Sequence, residues 1–140
     1  MTEKAQREEA LRQKLLLYQL LQAQFEELKK QATVLQARLG EMEASRTALA
    51  DVKSAPEGAQ VLIPVGSGVF VPGRLQRGDL LVDVGAGVVA SRSPVQAEQA
   101  LEHRRKEAEA LAGNLQQELL SMVGKITQLG QELEKELGSR

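Results

Sequence analysis

Two Gly-x-Gly steps, a pair of aspartates and a lone histidine are the residues of this 140-residue chain whose types could do chemistry. Gly66-Ser67-Gly68 and Gly85-Ala86-Gly87 have the small-residue spacing of a loop that wraps phosphate. Neither extends to Gly-x-Gly-x-x-Gly, neither opens a helix, and no Walker lysine follows. Asp79 and Asp83 could be offered as an acid pair, but Asp79 stands in a turn-rich link and Asp83 in a strand pattern. His103 lies within His103-Arg104-Arg105-Lys106, which reads as a solvated helix face, and there is no cysteine. The usual nucleophile–base pairings are therefore nearly unavailable, and a thiolate metal site is excluded. The basic run is too short for a nucleic-acid footprint, and Glu107 and Glu109 follow it. The sequence argues against an enzyme and indicates no cofactor. What remains is the chemistry of backbone turns and of apolar burial.

The glycines mark the turns. Residues 61–71 read VLIPVGSGVFV and residues 80–90 read LLVDVGAGVVA. A shift of nineteen positions superposes Gly66 on Gly85, Gly68 on Gly87, Val65 on Val84 and Val69 on Val88. Each copy has β-branched segments on either side of a Gly-x-Gly that can take positive φ, the signature of a β-hairpin. Two tandem hairpins are expected over 59–92. Val61, Ile63 and Val65, then Val69, Phe70 and Val71, supply the apolar residues of the first. Leu80, Val82, Val84 and Val88 supply those of the second. Both faces carry apolar residues, with Leu62 and Leu81 opposite the main sets. Four strands of about five residues cannot bury two faces alone, and their edges leave backbone groups unpaired. The physical expectation is assembly, with strands from several subunits sharing one sheet or barrel.

Long helices must carry this segment. Over 8–53 there is no proline and one glycine. Heptad position a falls on Leu11, Tyr18, Phe25, Ala32, Leu39 and Arg46. Position d falls on Lys14, Leu21, Leu28, Leu35, Met42 and Leu49. A seam kept over that span argues for a coiled coil about 69 Å long. Pro56 and Gly58 stop it. The second helix, 94–137, opens with Ser93 as N-cap, Pro94 at the first position and Gln96 completing a capping box. Its seam is expected to place Leu101, Ala108, Leu111 and Leu115 in one register and Leu119, Met122, Ile126, Leu129 and Leu133 in another. The step Leu111–Leu115–Leu119 reads as a stutter. Near-equal lengths suit an antiparallel pair in which Leu49 meets Glu98, Leu28 meets Leu119 and Tyr18 meets Leu129.

Totals bound the rest. Lys and Arg number 18 against 19 Asp and Glu, so no net field favours nucleic acid or an anionic membrane. No apolar run approaches the roughly 18–20 residues that span a bilayer. The opening MTEKAQREEALRQK is charged and lacks a secretory apolar core. A soluble, cytoplasmic protein is expected.

A helix, two hairpins and a returning helix, with Ile63-Pro-Val-Gly-Ser-Gly-Val-Phe-Val-Pro-Gly73 and Val82-Asp-Val-Gly-Ala-Gly-Val88, resemble the α-type subunit of prefoldin, in its archaeal form. The resemblance covers essentially the whole chain as one domain. Two hairpins mark the α-type, since β-type subunits have one. It implies an α+β fold: a long antiparallel coiled coil joined by hairpins that build an intersubunit β-barrel. It further implies two α-type subunits with four β-type subunits, and an ATP-independent holdase that passes non-native proteins to a group II chaperonin. A filament-forming relative of the same body is the alternative. Client contact would fall at the coiled-coil tips. There Leu15, Leu16, Leu17 and Leu20, with Leu120 and Val123 on the return, put apolar side chains off the seam, where they could bury a client's apolar surface.

Overall fold

The computed structural model describes residues 2–138. The element order is α1 (Thr2–Ser54), β1 (Gln60–Gly66), β2 (Val69–Arg74), β3 (Leu80–Gly85), β4 (Val88–Arg92) and α2 (Pro94–Gly138). The chain divides into a helical unit, Met1–Arg38 with Ala108–Arg140, and a hairpin unit, Leu39–Glu107.

Helix α1 starts six residues before the expected boundary at residue 8. The added turns are TEKAQR, strong helix formers without Pro or Gly. They carry no apolar stripe, so periodicity could not reveal them. From Leu11 to Leu49 the expected a and d positions are buried or half-buried, with Arg46 the single exposed exception.

The seam of α2 corrects the expected stutter. Ala108, Leu115, Met122 and Leu129 are buried at strict seven-residue spacing. Arg105, Ala112, Leu119 and Ile126 are half-buried between them, and Leu133 is buried. The stripe is therefore unbroken. Leu111 lies outside it, 54% exposed, and the small Ala112 occupies the seam instead. Position on the supercoil decides burial here, and the larger side chain loses.

Within the helical unit α1 and α2 run antiparallel. A Cβ on Gly130 would lie 3.4 Å from Tyr18 Cε2, an ordinary van der Waals distance, so the tyrosine ring packs beside this position of α2. Lys14, at a d position, lays its ammonium between Glu136, at 2.5 Å, and Glu132, at 3.8 Å. A lysine stem can line a seam while its charged head reaches out. In the hairpin unit, Lys53 Nζ meets Glu98 Oε1 at 2.7 Å, again across an antiparallel helix pair.

The capping box forms. Gln96 N–H donates to Ser93 Oγ at 3.2 Å, and Ser93 N–H donates to Gln96 Oε1 at 3.0 Å. Both satisfy amides that the first helical turn leaves without partners. Ser93→Ala should cost about 1 kcal/mol. Chemical denaturation of the variant beside its parent measures this, and an unchanged midpoint would mean solvent replaces the cap.

Candidate functional site

Each hairpin is its own antiparallel two-stranded sheet. In the first, Val61 faces Gly73, Ile63 faces Val71 and Pro64 faces Phe70. In the second, Leu80 faces Arg92, Val82 faces Ala90 and Asp83 faces Val89. Alternation along the strands then sorts the side chains. Val61, Ile63, Val69 and Val71 share one face of the first sheet, with Leu62 and Phe70 on the other. Leu80, Val82 and Val88 share one face of the second, with Leu81 and Val89 opposite.

Both turns adopt the same backbone. Ser67 and Gly68 have φ of 52° and 78°, and Ala86 and Gly87 have 53° and 74°. Positive φ at both central residues is the type I′ turn that matches strand twist. Serine and alanine accept the left-handed region at a cost of about 1 kcal/mol each. Gly66 and Gly85 serve differently. The register shifts between Pro64 and Gly66 and between Asp83 and Gly85, so each sits in a β-bulge beside Val65 or Val84. The sequence reasoning missed these bulges.

Side chains fasten the hairpins to the link that follows α1 and to α2. Arg77 donates from its guanidinium to the Ala55 carbonyl at 3.1 Å and from its backbone N–H to Glu57 at 2.7 Å. Arg74 donates to the Gly58 carbonyl at 3.1 Å, and Arg104 donates to the Asp83 carbonyl. The aspartates set aside as an acid pair serve the turns. Asp83 accepts the Gly85 N–H at 2.8 Å, and Asp79 accepts the Ser91 hydroxyl at 3.3 Å.

The result is a pair of sheets with uncovered apolar residues. Ile63, Val65, Val69, Phe70, Val71, Val84 and Val88 are exposed, and so are Leu62, Leu81 and Val89. Val61, Leu80 and Val82 are half-buried. The second uncovered set lies in the helical unit. Leu16 is 68% and Leu20 54% exposed, and Leu15, Leu17, Leu120 and Val123 are exposed as well. Their helix positions split them. Leu17 flanks the seam on one side of α1 and Leu15 on the other, while Leu16 and Leu20 point away from it. Sequence reasoning passed over Val34 and Leu137, which are exposed too, and placed the exposed Leu111 in the seam. Position c of the α1 heptad was a usable signal for Val34.

Charged groups support structure. His103 Nε2 lies 3.0 Å from Glu107 Oε1, one turn along α2, as a surface pair. Hydrogen bonding from Arg105 holds the Glu102 carboxyl below its ordinary range. The hydrogen bond to Glu136, with the charges of Glu136 and Glu132, raises the Lys14 ammonium against its partial burial. Among the described residues no group of three His, Cys, Asp or Glu could hold a metal ion. None of the described helices is long and apolar enough to cross a membrane.

The family model for "Prefoldin subunit" matches residues 21–138. Prefoldin subunit alpha of Thermofilum pendens is 27% identical over 113 residues, covering 80% of this chain and 88% of its own. Prefoldin subunit alpha of Pyrococcus horikoshii is 30% identical over 123 residues, covering 84% of this chain and 83% of its own. Among solved structures, filamentous PFD from Methanocaldococcus jannaschii has a TM-score of 0.71 at 27% identity, covering 82% of this chain and 96% of the other. The prefoldin beta subunit from Thermococcus strain KS-1 shares the fold, with a TM-score of 0.59 at 17% identity and 90% of each chain covered. Two long helices joined by two hairpins, with a family match over most of the sequence, lead to one conclusion: the chain belongs to the prefoldin family of chaperones, as an α-type subunit.

Proposed function

We propose that this chain is one subunit of an ATP-independent holdase that captures non-native proteins at its coiled-coil tips and delivers them to a group II chaperonin. The whole chain works as one prefoldin-like domain. Its hairpins join those of other subunits in a β-barrel body, two α-type with four β-type, in the cytoplasm. No cofactor, nucleic acid or membrane enters the cycle. The observation that carries this reading is the row of exposed leucines in the helical unit, Leu15, Leu16, Leu17 and Leu20. Exposed apolar side chains on a helix pair bury a client's apolar surface without chemistry, at about 25 cal/mol per Å². The similarity to filamentous PFD supports a second reading, a self-assembling filament subunit.

Native mass spectrometry of the complex purified through this chain separates the two. Six subunits, four of them of a second kind, are expected for the holdase. A long homopolymer favours the filament. The holdase should also suppress aggregation of a denatured client without ATP, and failure to do so at stoichiometric excess would remove the first reading.

A further inference from the structure

The repeat that relates the two hairpins also relates their outer edges. In an antiparallel pair, alternate residues turn their N–H and C=O away from the partner strand. The Leu75 N–H donates to the Ala59 carbonyl at 2.8 Å, in the register of the β1–β2 ladder. Odd-numbered positions of β1 are therefore bonded across the hairpin, and Leu62 and Pro64, with Phe70 and Pro72 opposite, face outward. Both prolines, which have no N–H to give, thus stand at outward positions. Each outer edge of the first hairpin is one donor short.

Nineteen positions on, Pro64 becomes Asp83 and Pro72 becomes Ser91. Both regain an N–H, and both have the carbonyl occupied instead. The Ser91 carbonyl accepts the guanidinium of its neighbour Arg92 at 2.9 Å. The Asp83 carbonyl accepts the guanidinium of Arg104, which reaches it from α2, 21 residues along the chain. Arg104 is exposed, and among the described residues it takes part in no ion pair. Glu107, one turn on, pairs with His103. The cation thus serves a neutral carbonyl on the edge of β3. A charged donor bonds a carbonyl more strongly than an amide N–H does. The guanidinium also fills the space about 4.8 Å from β3 in which an added strand would lie.

We infer that Arg104 is a latch on the outer edge of β3, which closes that edge in the free chain against a strand of a second copy and releases it on assembly. The inference rests on the reading that the hairpins join those of other subunits. The strand kept out belongs to a second copy because each chain carries two uncovered apolar two-stranded sheets. With open edges on both, copies would pair edge to edge without closure. A proline lowers an edge's pairing permanently. A guanidinium on an exposed side chain can be exchanged for the N–H of a partner strand.

Sedimentation velocity of the full chain alone, over a concentration series, tests the latch. Arg104→Ala should self-associate at a roughly tenfold lower concentration than the parent. Alanine favours helix and Arg104 is exposed, so circular dichroism should not change. Adding Asp83→Pro, which copies Pro64 of the first hairpin, should restore the parent's concentration dependence. Unchanged or weaker self-association of Arg104→Ala overturns the inference and leaves Arg104 a fastener of the second hairpin. A gain that Asp83→Pro does not reverse overturns it too, since growth then runs through another surface. The complex purified through Arg104→Ala should keep the parent's native mass, and failure to form it would show that the bond persists in the assembly and is not released. A parent recovered from its source as a monomer removes both the joining of hairpins and the latch. A complex that forms but holds no client without ATP removes the holdase reading, and the latch stands on the mass data.

Discussion

Val69→Asp combined with Val88→Asp will leave this chain a folded, helical monomer that no longer enters any larger assembly. The two valines occupy equivalent places after the two turns, and both are exposed in the single chain. An aspartate at either place is hydrated in the monomer and costs the isolated fold little. In a shared apolar sheet the same carboxylate would lose its water without gaining a partner, at a cost of several kcal/mol each. Two such penalties per chain exceed what an interface tolerates, since about 1.4 kcal/mol is already tenfold in affinity. Native mass and circular dichroism read the outcome together. An assembly of undiminished mass would show that these valines face solvent in the complex and that the hairpins join through other residues. Loss of helicity would instead assign them to the fold of the single chain.

The second large effect concerns capture. Leu16→Ser with Leu20→Ser should leave the assembly intact and sharply reduce its ability to keep a denatured client soluble. Both side chains are already more than half exposed, so their removal creates no cavity in the helix pair. Covering two half-exposed leucines with client surface is worth about 2 kcal/mol per arm. That corresponds to roughly a thirtyfold weaker hold by one arm, and more where several arms grip one client. Light scattering of a client during dilution from denaturant, with parent and variant at equal concentration, measures it. Full suppression by the variant would move capture away from these leucines.

How far the fold was legible depended on how the residues report their surroundings. The α1 seam could be read because Leu, Tyr, Phe and Met repeat at heptad spacing from Leu11 to Leu49. Its first turns could not, because Thr2 to Ala10 carry no comparable stripe. In α2 the reading failed at one step. Leu111 was placed in the seam because it is large and apolar, yet Ala112 holds that position. Sequence reports a residue's preference for burial. Which of two neighbours is buried depends on the phase of the whole stripe against the opposing helix.

The candidate surfaces divide in the same way. The off-seam leucines were legible because a heptad assigns every residue a direction, and their exposure agrees with it. The exposure of Leu111 was not, since it depends on the phase of α2 against the opposing helix. Gly66 and Gly85 were recognised as turn glycines, but their place in a bulge depends on counting residues across paired strands.

By itself the sequence determined the order of elements, the two repeated hairpins and the capped start of α2. These follow from local backbone preference and periodicity, which need no knowledge of distant neighbours. Only the tertiary structure decided the strand registers, the unbroken seam of α2 and the meeting of Lys14 with Glu132 and Glu136. The reason is physical. Each depends on residues far apart in the chain approaching within a few ångströms, and local preference is the same whether or not they do.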